Sequence, residues 1–359
     1  MERIPPRVVA VETPAPPGKG AAPGGNSTAL DQWRGFALLL VLISHGFYFT
    51  GRVHGIGRVG VNLFFFISGV LVFRSLSRSR ETGLALAAGF WKRRLRRLYP
   101  ALGAYVLAMA PIVYALRNVP GAVDAGPAGF WRGVPWALTY VMNYSRSMPM
   151  SLGHLWSLSC EMQFYLLAPA IFLLGGTTVF RRHLVWGALL LALAGAGLGG
   201  PLLHMPDAWK YDFEFAVWPM MLGFCCEYRR DLFLRVPGSW FTPILWGSAA
   251  IFCVLGALML GGLEMKKPVI AIGTYAFLPC FLAYVARRPL AGTLGQVFTW
   301  LGERTYSIYL WQQPLTICHY LPTFWHPFGS AASTLVGGLW FRWFERPFLS
   351  AGRQDVVRR

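Results

Sequence analysis

The sequence predicts an all-α integral membrane protein with about ten transmembrane helices in one bundle. Of its 359 residues, 55% are hydrophobic and only 13% are charged, whereas soluble domains carry about 25% charged residues. The mean hydropathy is +0.45, and long apolar runs recur along nearly the whole chain. These features exclude a water-soluble enzyme, a disordered protein and a secreted disulfide scaffold. A membrane β-barrel is not favoured either, because its strands would alternate polar and apolar residues.

The apolar runs also predict where the chain crosses the bilayer, since a spanning helix needs about 20 apolar residues. The sixth candidate span, around residues 213–228, is short, and the tenth is rich in glycine at its start. The ten candidate spans are centred near residues 43, 66, 108, 163, 194, 221, 252, 277, 311 and 337.

The formal net charge of +18, from 33 Lys and Arg against 15 Asp and Glu, tests this count. With the N-terminus inside and the spans alternating, 25 basic residues fall in inside segments and eight in outside segments. This split follows the positive-inside rule. We therefore expect a multi-pass protein of the cell membrane with both termini in the cytoplasm. Since no nucleic-acid-binding motif is present, the lipid bilayer and not a nucleic acid is the expected partner of the basic residues.

The two ends of the chain predict tails. Residues 1–28 are rich in Pro, Ala and Gly and lack the apolar core of a signal peptide, so we expect a disordered cytoplasmic tail and a first span that acts as the insertion signal. Residues 29–348 form the predicted transmembrane domain, and residues 349–359 a basic cytoplasmic tail. No metal site is expected, because the six cysteines lack zinc-ligand spacing; they are Cys160, Cys225, Cys226, Cys253, Cys280 and Cys318.

Polar residues inside the spans are the informative ones, since each costs a few kcal/mol to insert. Arg34 and His45 lie eleven residues apart in the first span, which places them on one helix face and about 16 Å apart along its axis. Asp31, three residues before Arg34, is positioned to orient it. His45 fits a proton acceptor, because a neutral imidazole can take a proton near pH 7. A hydrogen bond between helices is the structural alternative.

The fourth span carries a polar stripe at helical spacing. His154, Glu161 and Tyr165 recur on one face, with Trp156 beside them. Glu161 has no basic neighbour within one turn, so it predicts either a catalytic carboxylate or a structural one that pairs with another helix. In the second span Asn62 is polar, and in the ninth Tyr309 and Gln313 share a face; structural packing and contact with substrate both fit these residues.

The segment from Phe90 to Pro100 places five basic residues within six positions. Arg94 and Arg97 are three residues apart and share a helix face, and Arg93 lies beside them. Because guanidinium groups bind phosphate through paired hydrogen bonds, the run predicts a phosphate clamp. Anchoring to anionic lipid is the alternative.

Taken in order, six segments resemble the acyltransferase-3 family of integral membrane O-acyltransferases. Each is only moderately specific alone, but together they extend over residues 31–348, nearly the whole chain. The segments are DQWRGFALLLVLISH, GVNLFFFISGVL, RRLRRLYP, HLWSLSCEMQFYLLAP, ERTYSIYLWQQP and ERPF.

The resemblance implies an enzyme that moves an acyl group, with acetyl expected, from acyl-CoA to a hydroxyl, without a bound cofactor. The essential Arg and His of the family's first span match Arg34 and His45. The family's RxxR, tied to CoA, matches Arg94 and Arg97, and the glutamate of its fourth-span motif matches Glu161.

On this basis we expect the arginine cluster, Arg93 included, to hold the CoA phosphates while His45 takes the acceptor's proton as general base. Glu161 would stabilise the imidazolium if the helices bring it close, and Arg34 would contact the donor or the oxyanion. The residues expected to bind substrate are His154, Trp156, Tyr165, Asn62, Tyr309 and Gln313.

The chain departs from the family pattern at two positions. Many members carry aspartate where Asn62 stands and histidine where Gln312 stands, which puts in doubt an acid role for the first and a proton role for the second. Many larger members add a C-terminal hydrolase-like domain. Since this sequence continues for eleven residues after Phe348, we expect the membrane bundle or a separate partner to finish the transfer.

The acceptor is expected, by resemblance, to be a surface carbohydrate or glycoconjugate, with a small natural product such as a macrolide as the alternative. A membrane transporter is the alternative from another class, since intramembrane His and Glu can carry protons. A receptor-like or scaffolding protein that has lost its chemistry is the third.

Overall fold

The computed structural model describes residues 25–47, 54–119, 126–174, 212–230, 239, 289–316 and 325–349. Over these residues the protein is 87% helical and contains no strands, which confirms the all-α class there. The helices are α1 (Gly25–Gly46), α2 (His54–Ser77), α3 (Gly83–Ala115), α4 (Gly126–Leu138), α5 (Met150–Gly153), α6 (Trp156–Leu174), α7 (Phe213–Ala216), α8 (Trp218–Tyr228), α9 (Gly292–Glu303), α10 (Thr305–Thr316) and α11 (His326–Trp340). A 3₁₀ turn covers Met142–Tyr144, and a π-helical turn covers Phe341–Glu345.

Three of the described segments are long and apolar enough to cross a membrane: Gly57–Ser77, Gly83–Ala115 and Met150–Leu174. They match the spans predicted near residues 66, 108 and 163. The helices α1, α8, α10 and α11 cover the positions predicted near residues 43, 221, 311 and 337. The spans predicted near residues 194, 252 and 277 lie outside the described residues, so the count of ten stays a prediction.

Helix α1 packs against α2, α9, α10 and α11. Glycines let α1 and α9 approach closely near Arg34: a side-chain carbon at Gly35 would meet the Phe298 carbonyl, and one at Gly302 would meet the carbonyl of Asp31. Backbone contact of this kind leaves little freedom to slide or rotate. The arginine end of α1 is therefore held in one register.

Helices α2 and α8 form a second close pair. A side-chain carbon at Gly69 would meet the Met220 carbonyl, and one at Gly223 would meet the carbonyl of Phe66. Small residues at such crossings allow membrane helices to pack by van der Waals contact. A buried salt bridge between Arg74 and Glu227 joins the two helices at one end.

Buried charges in this part of the bundle are paired. Arg74 donates to both carboxylate oxygens of Glu227, at 2.7 and 3.1 Å, and both residues are buried. Arg230 adds a longer contact of 3.4 Å to the same carboxylate. Because a buried charge without a partner costs several kcal/mol, the ion pair fixes the ends of α2 and α8 together.

The described helices gather many of the arginines at one end. Helices α1 and α2 run antiparallel, since Gly60 lies against Ala37 while Gly57 lies against Ser44. Arg34 at the start of α1 is therefore at the same end as Arg74 near the end of α2. This segregation is what the predicted basic face requires; its orientation in the membrane stays a prediction.

We expect Gly69→Ala to lower the unfolding temperature, because the added methyl group would collide with a backbone carbonyl. Overpacking of this kind costs about 1–3 kcal/mol. Gly103→Ala in α3 is the matched control: no described residue lies within 4 Å of the added carbon, and Ala favours a helix over Gly by about 0.5–1 kcal/mol. Thermal unfolding in detergent, followed by tryptophan fluorescence, compares the two variants. Equal unfolding temperatures would contradict the close packing of α2 on α8.

Candidate active site

Arg34 and His45 stand on one face of the unbroken helix α1. Three residues between them, Ala37, Leu38 and Val41, line a cavity. Their spacing from Arg34 is three, four and seven residues, which is the spacing of a single helix face. The cavity therefore lies between the arginine and the histidine, along the axis that joins them.

The other walls of this cavity come from α2, α6 and α10. The cavity is partly open, its free volume of about 20 Å³ holds about one water molecule, and its lining is almost entirely apolar. Ser157 and Tyr309 bring hydroxyl groups to it; the remaining lining residues from these three helices are Gly60, Val61, Phe64, Phe65, Leu158, Thr305 and Tyr306. The cavity is therefore an apolar gap that a slender chain would enter only if the side chains around it moved apart.

One end of the cavity is bordered by a charged group that we call the arginine layer: Arg34, Arg94, Arg97, Glu161 and Glu345. Arg34 is buried, and its guanidinium lies 3.6 Å from the Asp31 carboxylate and 5.5 Å from the centre of the Phe64 ring. The contact with Asp31 is the one that their spacing predicted. The charges of Arg97 and Glu161 also act on Arg34, so residues of four helical segments meet at this end.

Glu161 in the arginine layer accepts two hydrogen bonds. Ser68 of α2 donates at 2.5 Å, and the hydroxyl of Tyr165, one turn along α6, is the second donor. The Tyr165 ring in turn carries the Arg94 guanidinium at 4.6 Å from its centre. Glu161 thus lies near arginines of other helices, which is the structural alternative that the sequence allows. Its hydrogen bond with Ser68 links α2 to α6.

Arg97 is held by a carboxylate from the far end of the chain. Its Nε donates to Glu345 at 3.2 Å, and Ser307 donates to the second Glu345 oxygen at 2.7 Å. Glu345 is fully buried in the π-helical turn after α11. Within the described residues the two terminal amino groups of Arg97 make no hydrogen bond, so the guanidinium can bridge Glu345 and an anionic ligand.

The other end of the cavity is bordered by a second polar group, the histidine layer: His45, His154, Ser157, Tyr309 and Gln312. Nδ1 of His45 contacts the amide oxygen of Gln312. Because an amide oxygen can only accept, Nδ1 carries the hydrogen and the neutral ring has its lone pair on Nε2. Nε2 is then the atom that can take a proton.

His154 is buried beside this pair and has a different tautomer. Its Nε2–H donates to the Leu310 carbonyl at 3.0 Å, since a carbonyl can only accept. Tyr309 donates to the His154 carbonyl at 3.1 Å and shares a hydrogen bond of 2.7 Å with Ser157. His45 lies close enough to His154 for the two rings to interact electrostatically. The fourth and ninth predicted spans therefore meet the first one here.

The remaining predicted substrate residues do not gather at one end of the cavity. Tyr165 lies in contact with the arginine layer and not with His154 or Tyr309. Trp156 packs edge-on against Phe65, under Arg58, close to the histidine layer. Gln313 lies near Gly153: its amide nitrogen would be 3.9 Å from a side-chain carbon added to that glycine. Asn62 is partly buried on α2, outside the cavity lining.

A family model described as an acyltransferase domain matches residues 27–344, most of the chain. The chain belongs to the acyltransferase-3 family. The family predicted from the six segments is therefore confirmed. No solved structure matches the chain.

Curated relatives carry names of one kind. A peptidoglycan O-acetyltransferase of Listeria monocytogenes is 28% identical over 90% of this chain and 56% of its own length. A protein of Bacillus subtilis, provisionally named a peptidoglycan O-acetyltransferase, is 27% identical over 92% of this chain and 56% of its own. The chain thus spans just over half the length of these relatives. A Staphylococcus aureus protein, provisionally named an O-acetyltransferase, is 31% identical over 46% of this chain and 28% of its own.

Sequence reasoning did not assign three contributors to this acyltransferase-3 chain's site: Ser68, Ser307 and Glu345. Each is a polar residue in an apolar segment, and Glu345 is a carboxylate in the last predicted span. These signals were available, but the partners lie 93, 38 and 248 residues away along the chain. The expectation that Glu161 would serve the His45 ring also differs from the structure, in which Gln312 contacts that ring and Glu161 binds Ser68 and Tyr165.

We expect Glu345→Gln to destabilise the protein by about 1–3 kcal/mol, because it leaves the half-buried Arg97 charge without its buried carboxylate. The double variant Glu345→Gln with Arg97→Met should recover much of this loss, since no unpaired charge remains. Glu303→Gln is the matched control: its partner Arg304 is held at 3.1 Å, but Glu303 is 51% exposed, so a change below about 1 kcal/mol is expected. Thermal unfolding of all three variants measures the effects. Equal losses for Glu345→Gln and Glu303→Gln would show that the buried pair does not hold the chain end.

Proposed function

We propose that this protein is a membrane O-acyltransferase that moves an acyl group, in the first instance acetyl, from acyl-CoA to a hydroxyl of a surface glycan. The observation that carries the proposal is the cavity between the arginine layer and the histidine layer, on one face of α1, in a chain of the acyltransferase-3 family. The arginines would hold the donor's phosphates, and the histidine would do the chemistry.

The arginine layer has the properties that a CoA phosphate site needs. Arg94 presents its edges while its face rests on Tyr165, and Arg93 nearby is exposed. Arg97 keeps two amino groups for a ligand while Glu345 holds its Nε. Guanidinium groups bind phosphate through two parallel hydrogen bonds. The pantetheine arm of CoA is slender, and it would reach His45, about 16 Å away by the helix rise, by widening this apolar cavity.

His45 would act as general base in a direct transfer. The acceptor hydroxyl oxygen attacks the thioester carbonyl, so that a carbon–oxygen bond forms and the carbon–sulfur bond breaks. The hydroxyl proton passes to Nε2 of His45 and then to the sulfur of CoA, which leaves as the thiol. A base in this role contributes about 10²–10⁴-fold to the rate.

Arg34 and Glu161 would serve the donor end. Because both lie in the arginine layer, a turn or more from the histidine layer, we assign Arg34 to the donor and not to the oxyanion. Glu161, with Ser68 and Tyr165 donating to it, would balance the charges of Arg34 and Arg97. Its role is then to position the guanidinium groups that bind phosphate.

The acceptor would approach the histidine layer, where His154, Trp156, Tyr309 and Gln313 present polar and aromatic groups. The relatives named for peptidoglycan favour a glycan as the acceptor. In this arrangement the arginine layer faces the cytoplasm, where acyl-CoA is available. The proposed orientation agrees with the predicted positive-inside topology.

We expect His45→Ala to lower CoA release from acetyl-CoA by about 10²–10⁴-fold, the contribution of a general base. Purified protein in nanodiscs is assayed with acetyl-CoA and longer acyl-CoAs, with and without peptidoglycan fragments. Because the arginine layer is intact, the variant should bind acetyl-CoA as the wild type does. Wild-type turnover in His45→Ala would eliminate the base, and turnover only with a small hydroxylated product would replace the glycan as acceptor. Ion flux in liposomes without any binding of acyl-CoA would favour a transporter.

We also expect Ala37→Phe to separate donor binding from transfer. Ala37 lines the cavity and is buried, so the added ring would fill the route to His45. 3′-Phospho-ADP, which carries the phosphates of CoA but no pantetheine arm, should still bind, while CoA release from acetyl-CoA should fall at least about tenfold. Leu39→Phe, on another face of α1, is the matched control and should keep wild-type turnover. If Ala37→Phe turns over acetyl-CoA normally, the cavity is not the route of the pantetheine arm.

A further inference from the structure

Gln312 is buried in the ninth predicted span, and its amide serves a single described partner. It is fully buried, and the side-chain oxygen contacts Nδ1 of His45. The amide nitrogen has no hydrogen-bond partner among the residues that the structure describes. Among the described residues, this buried side-chain amide therefore bonds His45 alone.

This arrangement is costly for folding alone. A buried donor without a partner is destabilising, and an apolar residue of similar size would remove that penalty. A partly buried amide of this protein is used fully: Gln163 donates to the Tyr140 carbonyl and to Asn143, each at 2.8 Å, and accepts from Asn143 at 3.3 Å. Gln163 has the bonding of a structural residue, and Gln312 does not.

We infer that Gln312 is a positioning residue for the reaction: its amide oxygen accepts the hydrogen of His45 Nδ1 and thereby holds the ring in the tautomer whose lone pair is on Nε2. The inference rests on the proposed function, in which Nε2 of His45 takes the acceptor's proton. In this inference a residue of α10 orients the His45 ring, whereas the sequence pattern predicts that Glu161 on α6 serves that ring.

His45 needs such a partner because its two ring nitrogens are nearly equivalent as carriers of the hydrogen. A neutral ring can carry its hydrogen on either nitrogen, and only one of the two arrangements leaves the lone pair facing the acceptor. An oxygen fixed beside Nδ1 selects that arrangement and also fixes the ring rotation. The carboxylate of a catalytic triad acts on its histidine in the same way, and here a neutral amide would do so without adding a charge to the buried site.

The test compares Gln312→Leu with wild type in nanodiscs. Without the acceptor oxygen we expect kcat for CoA release to fall about 10- to 100-fold, a part of the general-base contribution. The KM for acetyl-CoA should stay unchanged because the arginine layer is untouched. The unfolding temperature should not fall, because the substitution also removes an amide nitrogen that has no partner among the described residues. Gln163→Leu is the matched control, with the opposite pattern: a lower unfolding temperature and an unchanged kcat.

Rescue separates positioning from packing. Gln312→Glu keeps an acceptor oxygen at the same distance, and Gln312→His supplies a ring nitrogen as acceptor, so at least one of the two should recover kcat to within about tenfold of wild type. Wild-type kcat in Gln312→Leu, or a loss that neither acceptor variant restores, would overturn the inference. A wild-type protein that releases no CoA, or that does so without His45, would instead mean that the proposed function has failed.

Discussion

The pairing of arginines, one buried and one half-buried, with buried carboxylates is the constraint on which the arrangement of this bundle depends. Arg74 with Glu227 joins α2 to α8, and Arg97 with Glu345 joins α3 to the last turn of the chain. Since an uncompensated buried charge costs several kcal/mol, each pair allows only one position for its two helices. Glycine contacts between α1 and α9 then fix the position of Arg34 in the arginine layer, beside Arg97.

The chemistry proposed for this protein follows from the order of polarity along α1. A charged layer, an apolar cavity and a layer of neutral hydrogen-bonding groups succeed one another over three helical turns. The charged layer suits phosphates, the apolar stretch excludes water from a thioester, and the neutral layer suits proton transfer. Helices α6 and α10 each contribute to both layers: α6 through Ser157 and Glu161, α10 through Ser307 and Gln312.

Several parts of the site could be predicted from local spacing. A spacing of eleven residues from Arg34 to His45 implies one helix face, and the cavity residues Ala37 and Val41 lie on it. A spacing of three residues from Asp31 to Arg34 implies their contact. The partner of His45 could not be predicted in this way, because Gln312 lies 267 residues further along the chain. Helical periodicity says which residues share a face but not which face of another helix they meet.

The sequence by itself determined the helical class, the family and the residues available for chemistry, since composition, apolar periodicity and motif order are properties of the chain alone. Only the tertiary structure decided how these residues divide into two layers. Glu161 lies near the arginines and Gln312 contacts the histidine, because helix crossings and charge pairing fix the position of each side chain along the bundle. Those constraints act between segments far apart in the chain, and no local pattern contains them.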